Sequence, residues 1–335
     1  MHPSLEQYLE FLHTKRRAPA TVKVIRHDLA HFVAWWESTR RRTFDPARLR
    51  HEDLRDWRSV RQRDDGAAPA TINRGLASLR GYCRWALACH LLLENPMTDV
   101  KDVPTEPLAP RSVPPQAIDA LLRAAGAEQS AILRARDEAL LALLIYAGLR
   151  VQEVCDLQLR DLDMGSGTVT IRSGKAGKAR RVPLHPDAQR RLGRYLDVVR
   201  CPAGLPPIGG EQEREKLLVG IDVTRKGQPT TPGITQRVAQ RTVLQLGQRA
   251  AQQLRAEAKL ERDIKRGEEL QDLARRLERV TPHMLRHSLA RRMLERGAQL
   301  PEVQRVLGHS RLSTTGIYLT PSEEDLRSAL GRAGL

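Results

Sequence analysis

Residues 281–318 read TPHMLRHSLARRMLERGAQLPEVQRVLGHSRLSTTGIY, and this stretch decides how the rest of the chain is interpreted. Thr281 and Pro282 suit the N-cap and the first position of a helix, which places His283 in the first helical turn. Arg286 then lies one turn further along the same face. The segment therefore predicts a helix whose positively polarised N-terminus carries an imidazole and a guanidinium.

The chemistry of this helix start favours a phosphate group. Free N–H groups, the helix dipole and a guanidinium fork all attract an anion. The same positive charge disfavours imidazolium, so His283 is expected to be a neutral proton acceptor at about pH 7. Tyr318 follows in the same segment. Together these residues predict a phosphate-binding site with its own nucleophile.

The composition predicts a polyanionic partner. Fifty-six Lys and Arg against forty Asp and Glu give a formal net charge of +16 and a pI of about 10.4. Nucleic acid is the expected partner, because each neutralised phosphate releases counterions, and an anionic membrane surface is the weaker alternative. No apolar run approaches the ~18 residues of a membrane span, and residues 1–30 lack a signal-peptide core. We expect a cytoplasmic, nucleoid-associated protein with no membrane partner.

The chain is predicted to divide at a proline-rich linker, residues 103–115, which reads VPTEPLAPRSVPP. Residues 1–102 precede the linker and are predicted to form a small helical bundle, in which the four tryptophans fill the core rather than stack on bases. Residues 116–335 form the second domain. The helical patterns of the first domain are roughly Pro3–His13, Thr21–Glu37, Glu52–Arg61 and Thr71–Leu92.

The second domain is predicted to be mainly helical with one β-hairpin. Gly148 looks like a helix stop that is followed by a second helix start. Thr168–Arg172 and Arg180–Leu184 are β-branched or alternating, and the sequence SGKAGKA joins them. This pattern predicts a hairpin with Lys175 in its turn.

Residues 234–280 are predicted to form an extended helical insertion, interrupted by Gly247 and Gly267. A solvated helix or helical hairpin that crosses the surface is favoured, because charged residues are abundant. The apolar residues are expected to form a packing seam, with the opposite face of the segment solvated. This seam is expected to be used in subunit or accessory-protein contacts. Its residues are Leu254, Leu260, Ile264, Leu270 and Leu277.

With these motifs in place, the whole chain resembles the tyrosine recombinase family, also called phage integrases, and in particular its Xer-like members. TINRGLASLRGYCRWAL resembles part of the family's SAM-like core-binding domain. The second domain carries the family's motifs in the family's order: AGLRVQEV, SGKAGKARRVPL, PHMLRHSLA and LGHSRLSTTGIY. The resemblance implies an α+β fold, mainly α with a small β-hairpin. It further implies a two-domain DNA clamp, made of an N-terminal core-binding bundle and a C-terminal catalytic domain.

The resemblance also implies a site-specific DNA recombinase that cleaves and rejoins DNA through a 3′-phosphotyrosyl intermediate. The implied catalytic residues are Arg150, Lys175, His283, Arg286, His309 and Tyr318. Tyr318 would attack phosphorus, the arginines would hold the non-bridging oxygens and His283 would accept a proton. Lys175 would protonate the leaving oxygen, and His309 would hydrogen-bond the phosphate. The covalent step conserves the bond energy, so no cofactor and no metal is expected.

The implied partners are double-stranded DNA with paired half-sites and further copies of the chain. Strands would be exchanged between two duplex sites in integration, excision or resolution, and the sequence leaves open which of these applies. Ser322 can cap a final helix through Leu330 that is too short to be stable alone. The resemblance implies that this tail docks on a neighbouring protomer of a tetramer. An accessory protein is the other partner considered.

Two other functions stay open at this point. His283 and His287 are four residues apart, and His309 would be a third ligand in a zinc-dependent nuclease. Against this, Met284 stands where a zincin carries its general-base glutamate. The second alternative is a non-catalytic DNA-binding factor, which would have no use for Tyr318 in its context.

Two residues beside the motifs have expected supporting roles. Glu153 is interpreted as the structural partner of an arginine rather than as an acid catalyst. His287 is interpreted as packing or hydrogen-bonding beside His283 rather than taking part in the chemistry.

Overall fold

The computed structural model describes the chain in six ranges: residues 2–105, 112–172, 179–202, 210–222, 228–230 and 233–308. The chain divides into two compact units, Met1–Pro107 and Leu108–Leu335, and the boundary lies inside the proline-rich segment. None of the described helices combines the length and the apolar character needed to cross a bilayer.

The first unit is a helical bundle. Its helices are α1 (Pro3–Thr14), α2 (Pro19–Arg40), α3 (His51–Arg63) and α4 (Pro69–Ala88). Three of them begin with proline, whose fixed φ suits the first helical turn. The four predicted helices are therefore confirmed, although α4 ends before Leu92 because His90 adopts a left-handed φ of 57°. Trp36 and Trp57 are 2% exposed in the core, as predicted, while Trp35 and Trp85 pack half-buried around it.

The described residues of the second unit form helices and two small antiparallel sheets. Its helices are α5 (Pro115–Gly126), α6 (Ala131–Ile145), α7 (Val151–Asp156), α8 (Pro186–Tyr195), α9 (Gln236–Leu260), α10 (Ile264–Leu277), α11 (Pro282–Glu295) and α12 (Leu300–Leu307). Its strands are β1 (Leu162–Asp163), β2 (Thr168–Ile171), β3 (Arg180–Pro183), β4 (Gly220–Asp222) and β5 (Gln228–Thr230). The first three strands form one sheet in chain order, and the last two pair with each other.

The predicted β-hairpin is confirmed as β2 and β3. Val169 lies opposite Val182, and Ile171 lies opposite Arg180. Alternation along β3 turns Val182 into the core and leaves Arg181 in solvent. Lys175 was expected in the turn of this hairpin and lies outside the described residues.

Helix α6 is the centre of the second unit, and its end positions the site. Every residue from Ala135 to Ile145 is buried, so the helix is apolar on nearly all sides. Gly148 adopts a φ of +61°, which confirms the predicted helix stop. A Cβ at this glycine would lie 2.7 Å from Leu289 Cδ2 and 3.0 Å from Leu307 Cδ2. The close approach holds the end of α6 against α11 and α12.

Residues 234–280 form a helical hairpin, but the predicted interruptions at Gly247 and Gly267 are wrong. Both glycines lie inside helices, and the chain leaves helical structure at residues 261–263. At Gly247 the lack of a side chain permits close packing, because a Cβ would lie 2.4 Å from both Leu277 O and Val280 Cγ1.

The interpretation of this hairpin as a solvated surface element is also wrong. Helix α9 packs against α5, α6, α7 and α10, and its apolar face belongs to the main core of the second unit. Leu254, Leu270 and Leu277 are buried as expected of a packing seam. Leu260 and Ile264 instead lie at the tip, where they are 85% and 81% exposed. The prediction was wrong because it rested on the abundance of charged residues, and these residues lie on the outer face of the hairpin.

Candidate active site

Helix α11 begins as its sequence predicts. The Thr281 hydroxyl accepts a hydrogen bond from Met284 N at 3.3 Å, and Pro282 occupies the first turn. His283 is exposed, whereas Arg286 is only 3% exposed. The helix start thus presents an imidazole to solvent and inserts a guanidinium into the protein.

Arg286 joins three motifs that are far apart in the chain. Its Nη1 donates to the carbonyl of Gly148, and its Nη2 donates to the carbonyl of Leu307. The first carbonyl precedes Arg150 by two residues, and the second directly precedes Gly308. Hydrogen bonds from a charged group are strong at buried positions. The arginine therefore fixes both segments to α11.

Arg150 lies at the N-cap of α7, beside Glu153. The Glu153 carboxylate accepts hydrogen bonds from the backbone N–H and from Nη1 of Arg150, both at 2.9 Å. Nη2 of Arg150 lies 3.4 Å from the carbonyl oxygen of Gly308. The expectation that Glu153 is the structural partner of an arginine is confirmed. The arginine side chain is 30% exposed, so part of it faces solvent.

Arg180 belongs to this cluster and was missed at the sequence level. Its Nη1 and Nη2 donate to Oε1 and Oε2 of Glu153 at 2.9 Å and 2.7 Å. Its Nε lies 3.4 Å from the carbonyl of Val306 in the last turn of α12. Period-two alternation in β3 is the signal that was available, since it places Arg180 on the same face as buried Val182.

The site is electropositive, and this affects its ionisable groups. Burial raises the pKa of Glu153, but hydrogen bonds and charge from Arg180 and Arg150 outweigh it, so the net pKa is lowered. Desolvation and the charges of Arg286 and Arg150 lower the pKa of His283. Desolvation, His283 and Arg286 also lower the pKa of His287. Both imidazoles are therefore suited to be neutral near the ordinary histidine pKa of 6.5.

Three of the six predicted catalytic residues lie in the described part of the chain, and the structure brings them together around α11. They are Arg150, His283 and Arg286. Lys175, His309 and Tyr318 lie outside the described residues. Within the described ranges, no group of three His, Cys, Asp or Glu side chains is arranged to hold a metal ion.

Residues 111–325 match the Phage integrase family, and residues 5–90 match the Phage integrase N-terminal SAM-like domain. The chain belongs to the phage integrase family and is a tyrosine-type site-specific recombinase. Tyrosine recombinase XerD of Lacticaseibacillus casei is 29% identical, over 97% of this chain and 96% of that protein. Tyrosine recombinase XerC of Rhodospirillum centenum is 34% identical, over 97% of this chain and 84% of that protein.

Solved structures share the fold. The Tn1549 transposon integrase in complex with circular intermediate DNA is 17% identical, with a TM-score of 0.63 over 98% of each chain. A lambda integrase dimer bound to a COC′ core site is 14% identical, with a TM-score of 0.60 over 95% of this chain and 94% of that one. These likenesses confirm the predicted class, a mainly helical fold with a small sheet. Nothing in them favours a zinc nuclease or a non-catalytic factor.

Proposed function

We propose that this recombinase cleaves DNA with Tyr318 and stabilises the reaction with the cluster around Arg286. The buried Arg286 guanidinium donates to the carbonyls of Gly148 and Leu307, and Arg150 reaches the carbonyl of Gly308; these contacts support the proposal. Gly308 directly precedes His309 in the chain.

The two arginines act on the phosphate. In-line attack on phosphorus places extra negative charge on the non-bridging oxygens. Arg150 and Arg286 remain charged at neutral pH and donate in a fork that matches these oxygens. Preorganised donors of this kind are usually the largest contribution to catalysis, and losing one commonly costs roughly 10²–10³ in rate.

Proton transfers complete the cleavage. The Tyr318 hydroxyl gives its proton to neutral His283 and bonds to phosphorus, while the bond to the 5′-oxygen breaks. Lys175 protonates that leaving 5′-oxygen, and His309 hydrogen-bonds the scissile phosphate. The products are a 3′-phosphotyrosyl linkage and a free 5′-hydroxyl. Attack by another 5′-hydroxyl reverses the step, so rejoining consumes no nucleotide and needs no metal.

The substrate is double-stranded DNA with paired half-sites, handled in the cytoplasm on nucleoid DNA. Solved relatives support a DNA substrate, since the XerH site-specific recombinase is bound to a difH substrate. Two duplexes are held by a tetramer of this chain, in which the segment after Tyr318 docks on the neighbouring protomer. An accessory protein is a further partner of this assembly.

A nicked suicide substrate tests the nucleophile. Wild-type protein becomes covalently trapped on the DNA in denaturing gels, and Tyr318→Phe binds the DNA without being trapped, because only the hydroxyl is lost. Tyr146→Phe is the matched control, since Tyr146 is another tyrosine of the same unit with a half-buried ring. Trapping of the Tyr318 variant would place the nucleophile elsewhere.

Excess EDTA separates this mechanism from zinc chemistry. Covalent trapping by the wild type is expected to be unchanged by the chelator. A loss of trapping that added zinc restores would favour the nuclease built on His283, His287 and His309.

A further inference from the structure

We propose that Arg180 is a positioning residue for DNA cleavage, which acts by holding Glu153 and the C-terminal end of α12 in the geometry that Arg150 needs. This inference rests on the proposed function and adds a residue to it. Arg180 lies on strand β3, outside all six residues assigned above.

The contacts of Arg180 connect the hairpin to two catalytic segments. Its guanidinium binds both carboxylate oxygens of Glu153, at 2.9 Å and 2.7 Å. Its Nε lies 3.4 Å from the carbonyl of Val306. The side chain is 13% exposed, and the carboxylate is 6% exposed, so solvent screens the pair little. A bidentate guanidinium pair also fixes the relative orientation of its partners.

The position of Arg180 also restricts the turn that leads to His309. Gly308 adopts a φ of +64° at the end of α12, and a Cβ there would lie 2.7 Å from Arg180 Cζ. Arg150 reaches the carbonyl of the same glycine. The guanidinium of Arg180 thus packs under Gly308, and it also binds the carboxylate that orients Arg150.

The charge balance explains why an arginine is needed here. Glu153 accepts hydrogen bonds from Arg150 and lies 3.9 Å from Nη1 of Arg286. Without Arg180 the carboxylate would lose two of its donors and would bind the two catalytic arginines more tightly. Those arginines would then be less available to a phosphate. Arg180 therefore supplies hydrogen-bond donors to the Glu153 carboxylate, so the positive charge of Arg150 and Arg286 stays available to the DNA phosphate.

The test compares Arg180→Met with Arg181→Met in full-length protein on the nicked suicide substrate. Arg181 is a matched control, because it is the next residue of the same strand, is 59% exposed and pairs with Asp163 on the outer side. With protein in excess over DNA, Arg180→Met is expected to slow covalent trapping by roughly 10- to 100-fold, as for a misplacement of catalytic groups. Its dissociation constant for DNA should match that of the control, which should trap DNA at the wild-type rate.

A double variant separates positioning from general stability. If Arg180 acts through the carboxylate, its loss in a Glu153→Gln background slows trapping little further, because the partner is already neutral. Fully multiplicative rate losses, or equal rates for Arg180→Met and Arg181→Met, would overturn the proposal. Should Arg180→Met fail to fold, Arg180→Lys decides. Slower trapping with normal thermal unfolding and DNA binding supports positioning, and wild-type trapping overturns it. Absence of trapping in the wild type would instead defeat the proposed function.

Discussion

His283 and His287 make the stability of the second unit sensitive to acid. Both have a lowered pKa in the folded protein, so the unfolded chain binds more protons at these positions below the ordinary value of 6.5. Stability is fully present above that value and falls as pH decreases through it. His287→Gln removes one of these groups and is expected to reduce the loss of stability as the pH falls from about 7 to about 5. Urea unfolding at the two pH values measures this, and an unchanged pH dependence would contradict it.

Arg286 is expected to be irreplaceable by lysine. A single ammonium cannot serve two carbonyls in the directions that the guanidinium fork provides. Arg286→Lys should lower cleavage of the suicide substrate by roughly 10²–10³. Arg292→Lys is the control, because Arg292 lies on the same helix and also donates to backbone carbonyls, those of Ile145 and Ser288. The thermal unfolding temperature should be lowered in both variants, whereas cleavage should be lost only in Arg286→Lys. Equal cleavage by the two would show that Arg286 has a purely structural role.

At the residue level, the sequence predicts the groups that have family motifs around them. Arg150 and Arg286 were proposed in this way, and Glu153 was correctly interpreted as the partner of an arginine. Arg180 was missed because an arginine next to another arginine in a strand looks like surface charge. Alternation along β3 places it on the face of Val182, but its partner carboxylate is distant in the sequence, and no local pattern shows that contact.

Among the secondary structure elements, α9 and α10 depend on the absence of a side chain at Gly247. Gly247→Ala is expected to destabilise the protein, because backbone and Val280 lie 2.4 Å from the added Cβ. Gly267→Ala is the counterpart inside α10, where the nearest atom is 3.6 Å away. This change should stabilise by about 0.5–1 kcal/mol, since alanine favours helix more than glycine does. Urea unfolding of the two variants should give shifts of opposite sign, and shifts of the same sign would contradict the packing argument.

The tip of this hairpin is where a contact with another protein is predicted. Leu260 and Ile264 project into solvent beside charged neighbours. Leu260→Gln combined with Ile264→Gln should leave stability and single-site cleavage unchanged, because neither side chain is buried. Strand exchange between two sites should fall if the tip contacts a subunit or an accessory protein. Normal two-site recombination would exclude the tip from such a contact.

The sequence predicts this hairpin only in part, for a physical reason. Helical periodicity is local and was identified correctly. The position at which the helix ends was not identified correctly. A glycine inside a helix is tolerated where another backbone approaches closely, so Gly247 does not mark a helix end. Whether the apolar face of a charged helix is covered depends on α5 and α6, which end far earlier in the chain, at Gly126 and Ile145.

For the whole molecule, the net charge of +16 predicts strongly salt-dependent DNA binding. A protein that neutralises six to ten phosphates loses roughly 10³–10⁵ in affinity between about 50 and 200 mM salt. Titration of a labelled half-site over this range measures the slope. Arg150→Ala should leave the slope nearly unchanged, because it removes one phosphate contact among many. A flat salt dependence would contradict a broad electrostatic interface.

The segment after the nucleophile is predicted to connect protomers. Truncation after Pro321 should leave binding of one half-site near normal and abolish both cooperative filling of paired half-sites and recombination. Gel-shift titrations on single and paired half-sites provide the measurement. Unchanged cooperativity would mean that the tail docks on its own protomer.

The packing of Arg180 beneath Gly308 constrains how this protein can evolve. A side chain at position 308 would collide with the Arg180 guanidinium. Substitution of Arg180 before Gly308 is therefore easier than the reverse order. A lineage that first replaces Arg180 with a shorter residue would lose its hydrogen bonds to Glu153 but would create space beside Gly308. Variation at the glycine is therefore expected only where the arginine has already been replaced, and the left-handed φ of +64° still restricts it there.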